Sequence, residues 1–91
     1  MIKNISKYSY VEIEWYDIED SCEWSSLESL SKEQLPVAVS KGYLLDQKNG
    51  VTRLFRDYIR TKDKNKDTFE DIGSTVIIPS CVIISMKKIK L

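Results

Sequence analysis

The chain contains no histidine. The side chain that most often serves as general base and metal ligand is missing, so Ser-His-Asp, Cys-His and His-metal chemistry are excluded. Cysteine is scarce as well, with Cys22 and Cys81 the only two. A disulfide-built secreted domain of this size carries more, so the expectation is a cytosolic protein with reduced thiols, a Cys22–Cys81 bridge being the alternative. No apolar run exceeds four residues, so no segment reads as a transmembrane helix, and Met1–Lys7 does not read as a signal sequence. Net charge is absent too: 14 Lys+Arg balance 14 Asp+Glu. Generic binders of nucleic acid or membrane surfaces are basic overall, so that class is disfavoured. There is no glycine-rich phosphate loop and no CxxC pair.

What is present is a globular composition, 42% hydrophobic and 31% charged, on 91 residues. That length makes one domain with one core and no room for a large internal cleft. The neutral total hides a dipolar chain. Residues 1–34 carry three bases and eight acids, a balance of −5, whereas residues 35–91 carry eleven bases and six acids, a balance of +5. Seven acids and no base lie between Tyr8 and Ser31. Two readings follow: the halves neutralise each other within the fold, or the acids form a docking surface that steers a basic partner.

Along the chain, Tyr10–Tyr16 alternates with period two and reads as a half-buried strand. Val11, Ile13 and Trp15 take one face and Glu12 and Glu14 the other. Ser25-x-x-Glu28 has the form of a capping box, with Leu27, Leu30 and Leu35 as a narrow apolar stripe, so a short helix is expected over about residues 26–34, ended by Pro36. Residues 37–47 read as a strand kinked at Gly42, where a barrel corner, bulge or close backbone approach is expected. Asn49-Gly50 is a strong hairpin signal, and residues 51–60 form the returning strand. Residues 61–71 read as a polar loop. Its Asp63-x-Asn65-x-Asp67 spacing fails as a calcium loop because Thr68 stands where glycine is needed and Ser74 where a glutamate belongs. A short strand over 75–78, a tight Pro79-Ser80-Cys81 connection and a strand over 82–89 close the chain. Five short strands that must hide their edges predict a mainly β fold. The expected form is a small SH3-like five-stranded barrel with a short helix after the first strand, an OB-type barrel ranking second.

The segments Tyr10–Asp17, Trp24, Lys41-Gly42-Tyr43-Leu44-Leu45, and Ile78-Pro79 with Ile83-x-Ser85-Met86 resemble a group of small uncharacterised phage and prophage proteins. Their pattern is an alternating strand ending in Trp-x-Asp, a second Trp, a Gly-Tyr-Leu-Leu segment and a closing Ile-Pro hairpin. The likeness covers about three-quarters of the chain and falls on framework positions. It implies a phage origin and a host bacterium's cytoplasm as the site of action, and it assigns no activity. The chain departs from the pattern in its lysine-rich 61–71 loop, and in Cys81, where a small residue such as glycine is common.

Candidate sites are few. Trp15 and Trp24 read as plugs of the core rather than stacking platforms for bases. The acids lack the burial that would raise one carboxyl pKa for catalysis, so an enzyme is not expected, and neither cofactor nor metal is implied. Asp17, Glu19 and Asp20 read as the partner-binding acids of a module that binds and modulates a host protein. Glu12 and Glu14 read as internally paired, with Arg53, Arg56 or Arg60 as the partners. The alternative use of Arg53, Arg56 and Arg60 is to track a nucleic-acid backbone or a nucleotide. A third reading is a self-associating assembly protein, a homo-oligomer joined through an edge strand.

Overall fold

Period-two alternation buries Val11 and Ile13 and half-buries Trp15. A computed structural model describes residues 3–18, 24–62 and 67–91. Its strands are β1 (Lys3–Asn4), β2 (Tyr10–Tyr16), β3 (Val37–Lys48), β4 (Val51–Arg60), β5 (Thr68–Pro79) and β6 (Ile83–Lys88). Helix α1 covers Leu27–Lys32, and 3-10 turns at Ile5–Lys7 and Ser80–Val82 precede β2 and β6. The six strands form one antiparallel sheet in the order β1-β5-β4-β3-β2-β6. The fold is mainly β, as expected, but it has a sixth strand, and the sheet keeps β1 and β6 as edges instead of closing.

Asn49 and Gly50 adopt φ of 55° and 76°, the left-handed pair that a two-residue hairpin demands. That turn places Lys48 opposite Val51, Gln47 opposite Thr52 and Asp46 opposite Arg53. The register then slips at Leu45, so Leu44 faces Leu54 and Tyr43 faces Phe55. Of the alternatives expected at Gly42, the bulge lies further along, at Leu45, and the close backbone approach holds: a Cβ at Gly42 would lie 3.0 Å from the Phe55 carbonyl oxygen and 3.3 Å from the Leu54 Cβ.

The core is divided. Val11, Ile13, Leu54 and Ile78 form one buried cluster, flanked by Trp15, Leu44 and Ile83. Tyr43, Phe55 and Phe69 form another, flanked by Ile5, Tyr8, Tyr10 and Tyr58. The chain neighbours Leu54 and Phe55 fall in different clusters, as do Tyr43 and Leu44, because successive side chains leave opposite faces of a strand. Val11 of β2 and Ile78 of β5 belong to one buried cluster, with Leu54 of β4, although two strands lie between them in the sheet, so the sheet coils. In the second cluster the Phe55 ring centroid lies 5.2 Å from Tyr43, 5.5 Å from Tyr8 and 5.8 Å from Phe69. Buried polar groups are satisfied: Thr52 Oγ1 and Ser80 Oγ share a hydrogen bond of 3.0 Å, and the Trp15 indole donates to Ser40 Oγ at 3.0 Å.

The polar stretch expected to be a loop over 61–71 is shorter, because β5 begins at Thr68 and pairs with β4 as far as Arg60. The β3–β4 ladder ends at Phe55, and beyond it β4 pairs only with β5, whose start is covered by β1; the molecule measures 61 × 25 × 24 Å. Cys81 is a free, exposed thiol in the turn before β6; the Cys22–Cys81 alternative lies outside the described residues.

Candidate functional site

β2 and β3 pair to their ends, Tyr16 facing Val37, and one further bond from the Asp17 amide to the Pro36 carbonyl closes the ladder at 3.0 Å. The described residues between them, Ile18 and 24–35, belong to no strand and form an arm off the sheet. Its helix begins one residue later than the capping box suggests. Ser26, not Ser25, is the N-cap, with its Oγ accepting from the Ser29 amide at 3.0 Å. Glu28 reaches forward to Lys32, at 3.1 Å, rather than back. The helix stops at Lys32, and Glu33, Gln34 and Leu35 run extended or irregular into Pro36, which disfavours helix at the residue before it.

No residue of α1 is buried. Leu27 is 87% exposed and Trp24 fully exposed, so Trp24 is not a core plug, contrary to expectation. Ile18, Leu30 and Leu35 are exposed as well. At the root of the arm the outer sheet face continues this apolar surface. Tyr16, Val37 and Val39 are exposed, and Tyr16, Gln34, Leu35 and Val37 line a shallow pocket of about 490 Å3. Acids border it. Glu14 sits opposite Val39, Asp17 is exposed and makes no ion pair among the described residues, and Glu33 is exposed. Glu19 and Asp20, the other two expected docking acids, lie outside the described residues.

The expected pairing of the β2 glutamates with arginines is not found: Glu14 stands opposite Val39 and Ser85, and Glu12 lies in a rung of lysines. Glu12 stands opposite Lys41 of β3 and Lys87 of β6, with Oε–Nζ distances of 3.8 and 3.0 Å. The arginines are spent differently. Arg53 is half-buried and pairs with Asp46 at 3.0 Å, while Arg56 donates through Nε to the Lys41 carbonyl at 3.2 Å. Arg60 is exposed at the end of β4, beside Lys62, Glu70 and Asp71. Tyr58 packs on Tyr43 and Phe69, so its ring is committed to the protein's own aromatic cluster. Burial, with the nearby phenols of Tyr58 and Tyr10, raises the Tyr43 pKa above its ordinary 10.0.

Two of these arrangements were missed by sequence reasoning. The Asp46–Arg53 pair was readable, since a two-residue turn at Asn49-Gly50 sets those positions opposite each other. The Lys41–Glu12–Lys87 rung needs the order β3-β2-β6, which no local pattern contains. Among the described residues no group of three or more Cys, Asp or Glu is placed to hold a metal ion, and no helix is long and apolar enough to cross a membrane. Asp63 and Asn65, from the calcium-like spacing, lie outside the described residues. No known protein family, curated protein or solved structure matches the chain.

Proposed function

We propose that this is a small phage-encoded interaction protein that acts in the host cytoplasm by docking its acidic arm on a basic surface of a host protein. The observation that carries the reading is the exposure of Ile18, Trp24, Leu27, Leu30 and Leu35 on one arm. Burying each such side chain contributes about 1.5–3 kcal/mol, an amount a small fold forgoes when it leaves them in water. Large apolar side chains left in water in such number mark a binding site. The acids Asp17, Glu19 and Asp20, consecutive or nearly so in the sequence, add long-range steering toward a basic partner. The phage assignment rests on the sequence resemblance alone.

The SH3-like reading of the scaffold belongs to the same proposal. Its support is the order β5-β4-β3-β2-β6, with a 3-10 turn before the last strand and a coiled sheet that lets β2 and β5 share a core cluster.

The test is capture from a bacterial lysate treated with nuclease, comparing the wild type with Asp17→Lys/Glu19→Lys/Asp20→Lys and with Trp24→Ala. A basic protein held by the wild type and released by both variants is the expected result. Equal capture by all three removes the arm from the function. The second reading, nucleic-acid binding through Arg56, Arg60 and Lys62, is favoured only by their exposure, since Arg53 and Tyr58 are already engaged. Capture that vanishes with nuclease, together with salt-dependent binding of single-stranded DNA, would replace the first reading by the second.

A further inference from the structure

We propose that Asn49 is a site of spontaneous backbone modification, where closure of a cyclic imide with Gly50 releases ammonia and leaves aspartate or isoaspartate. Asparagine is a thermally labile side chain, and the reaction is limited by access of the following amide nitrogen to its Cγ. Of the three asparagines, Asn4 and Asn65 precede Ile5 and Lys66, and Asn49 alone precedes a glycine. Gly50 has no side chain to block the approach, and nothing lies within 4 Å of where its Cβ would stand. Both residues are exposed at the tip of the β3–β4 hairpin, and the Gly50 amide donates to no backbone carbonyl among the described residues. Solvent therefore reaches the amide and the side chain alike.

Water is the only co-reactant. The Gly50 nitrogen gives its proton to hydroxide and attacks Asn49 Cγ. The new N–Cγ bond closes the imide, the Cγ–Nδ2 bond breaks, and the departing nitrogen takes a proton from water and leaves as ammonia. A water molecule then opens the imide at one of its two carbonyls. Attack at Cγ breaks the new bond and gives aspartate on an unchanged backbone. Attack at the Asn49 main-chain carbonyl breaks the original peptide bond, and the chain then runs through Cβ and Cγ as isoaspartate.

The fold sets the rate and separates the two products. Asn49 and Gly50 hold φ of 55° and 76°, and the left-handed ψ that accompanies such a φ at Asn49 turns the Gly50 nitrogen away from Cγ. Imide closure must therefore wait until the turn opens. Opening is opposed from two directions. The Lys48–Val51 and Gln47–Thr52 pairs close the ladder behind the turn, and the Gly50 carbonyl accepts from the Ser80 amide at 2.9 Å. Aspartate tolerates the left-handed region and keeps the hairpin. Isoaspartate adds a main-chain carbon to a turn whose two central residues fix the register, so those pairs and the Ser80 bond are lost.

Incubation of the full chain at mildly alkaline pH, in buffer and in guanidinium chloride, followed by peptide mass spectrometry, tests this. In denaturant the peptide holding Asn49 should gain about one mass unit while those holding Asn4 and Asn65 do not. Gly50→Ala in denaturant, where no fold is at stake, should react about tenfold more slowly or worse. In buffer the wild type should also react about tenfold more slowly or worse, because the turn must first open. The isolated isoaspartyl form should melt below the wild type, whereas Asn49→Asp, with the same added charge on a normal backbone, should melt with it. No gain at Asn49 in denaturant overturns the site. Equal rates in buffer and denaturant overturn the gating by the turn. An isoaspartyl form that melts with the wild type, or an Asn49→Asp variant that melts as low as the isoaspartyl form, overturns the backbone account. None of these results bears on the arm, so the docking proposal stands or falls separately.

Discussion

Trp15 and Trp24 divide the molecule into two regions. Trp15 ends the apolar face of β2, flanks the Val11–Ile13–Leu54–Ile78 cluster and donates its indole N–H to Ser40. Trp24 lies on the arm and is fully exposed. The sheet buries Val11, Ile13, Leu54, Phe55, Phe69 and Ile78, whereas none of the large apolar residues described on the arm is buried. Hydrophobicity alone therefore does not determine burial: a strand is covered by the neighbours its ladder recruits, whereas a six-residue helix on a long excursion recruits none.

Substitutions should sharpen this division. The largest effect belongs to the aromatic cluster. Phe55→Ala removes a fully buried ring that touches Tyr8, Tyr43 and Phe69, and should cost about 3–5 kcal/mol, enough to leave most of the chain unfolded in a denaturant titration. Next is Gly42→Val, which should cost about 1–3 kcal/mol because its Cβ meets the Phe55 carbonyl rather than a flexible side chain. A valine variant as stable as the parent would mean that β3 and β4 can part there.

Smaller effects come from charge. Glu12→Gln should lower stability by up to about 1 kcal/mol, since both of its lysine partners are more than half exposed. Tyr43 gives a pH signature. Its phenol holds its proton to higher pH in the folded state than in the unfolded state, so stability is undiminished below pH 10.0 and falls as pH rises above it. Tyr43→Phe should flatten that alkaline decline, read as urea midpoints on either side of pH 10.0. The smallest effect is on the arm: Trp24→Ala in dilute protein should change stability by less than about 0.5 kcal/mol, as expected of a side chain that packs on nothing.

The sheet was largely legible in the sequence and the arm was not. Strict alternation located β2 to the residue, and Asn49-Gly50 located the β3–β4 hairpin with its left-handed turn. The start of β5 was hidden because Glu70, Asp71 and Ile72 are all exposed; ladder hydrogen bonds hold that stretch, and they leave no hydrophobic period. β1 is two residues long, too short for any alternation. For the site, the acids around Asp17 were evident from composition. The spacing of Leu27 and Leu30 gave an apolar stripe but not its fate, since periodicity tells which side chains share a face and not whether anything covers that face. Trp24 was misplaced for the same reason.

Amide hydrogen exchange on the intact chain, in dilute protein, tests the separation of sheet and arm most directly. Amides of β2, β3 and β4 should be protected, because they open only with the fold. Amides of Leu30 and Glu33, bonded only within the arm to the Ser26 and Leu30 carbonyls, should exchange almost freely in dilute protein. Protection of those two amides equal to that of β3 in dilute protein would contradict the account, because the arm would then be part of the fold it is argued to stand apart from.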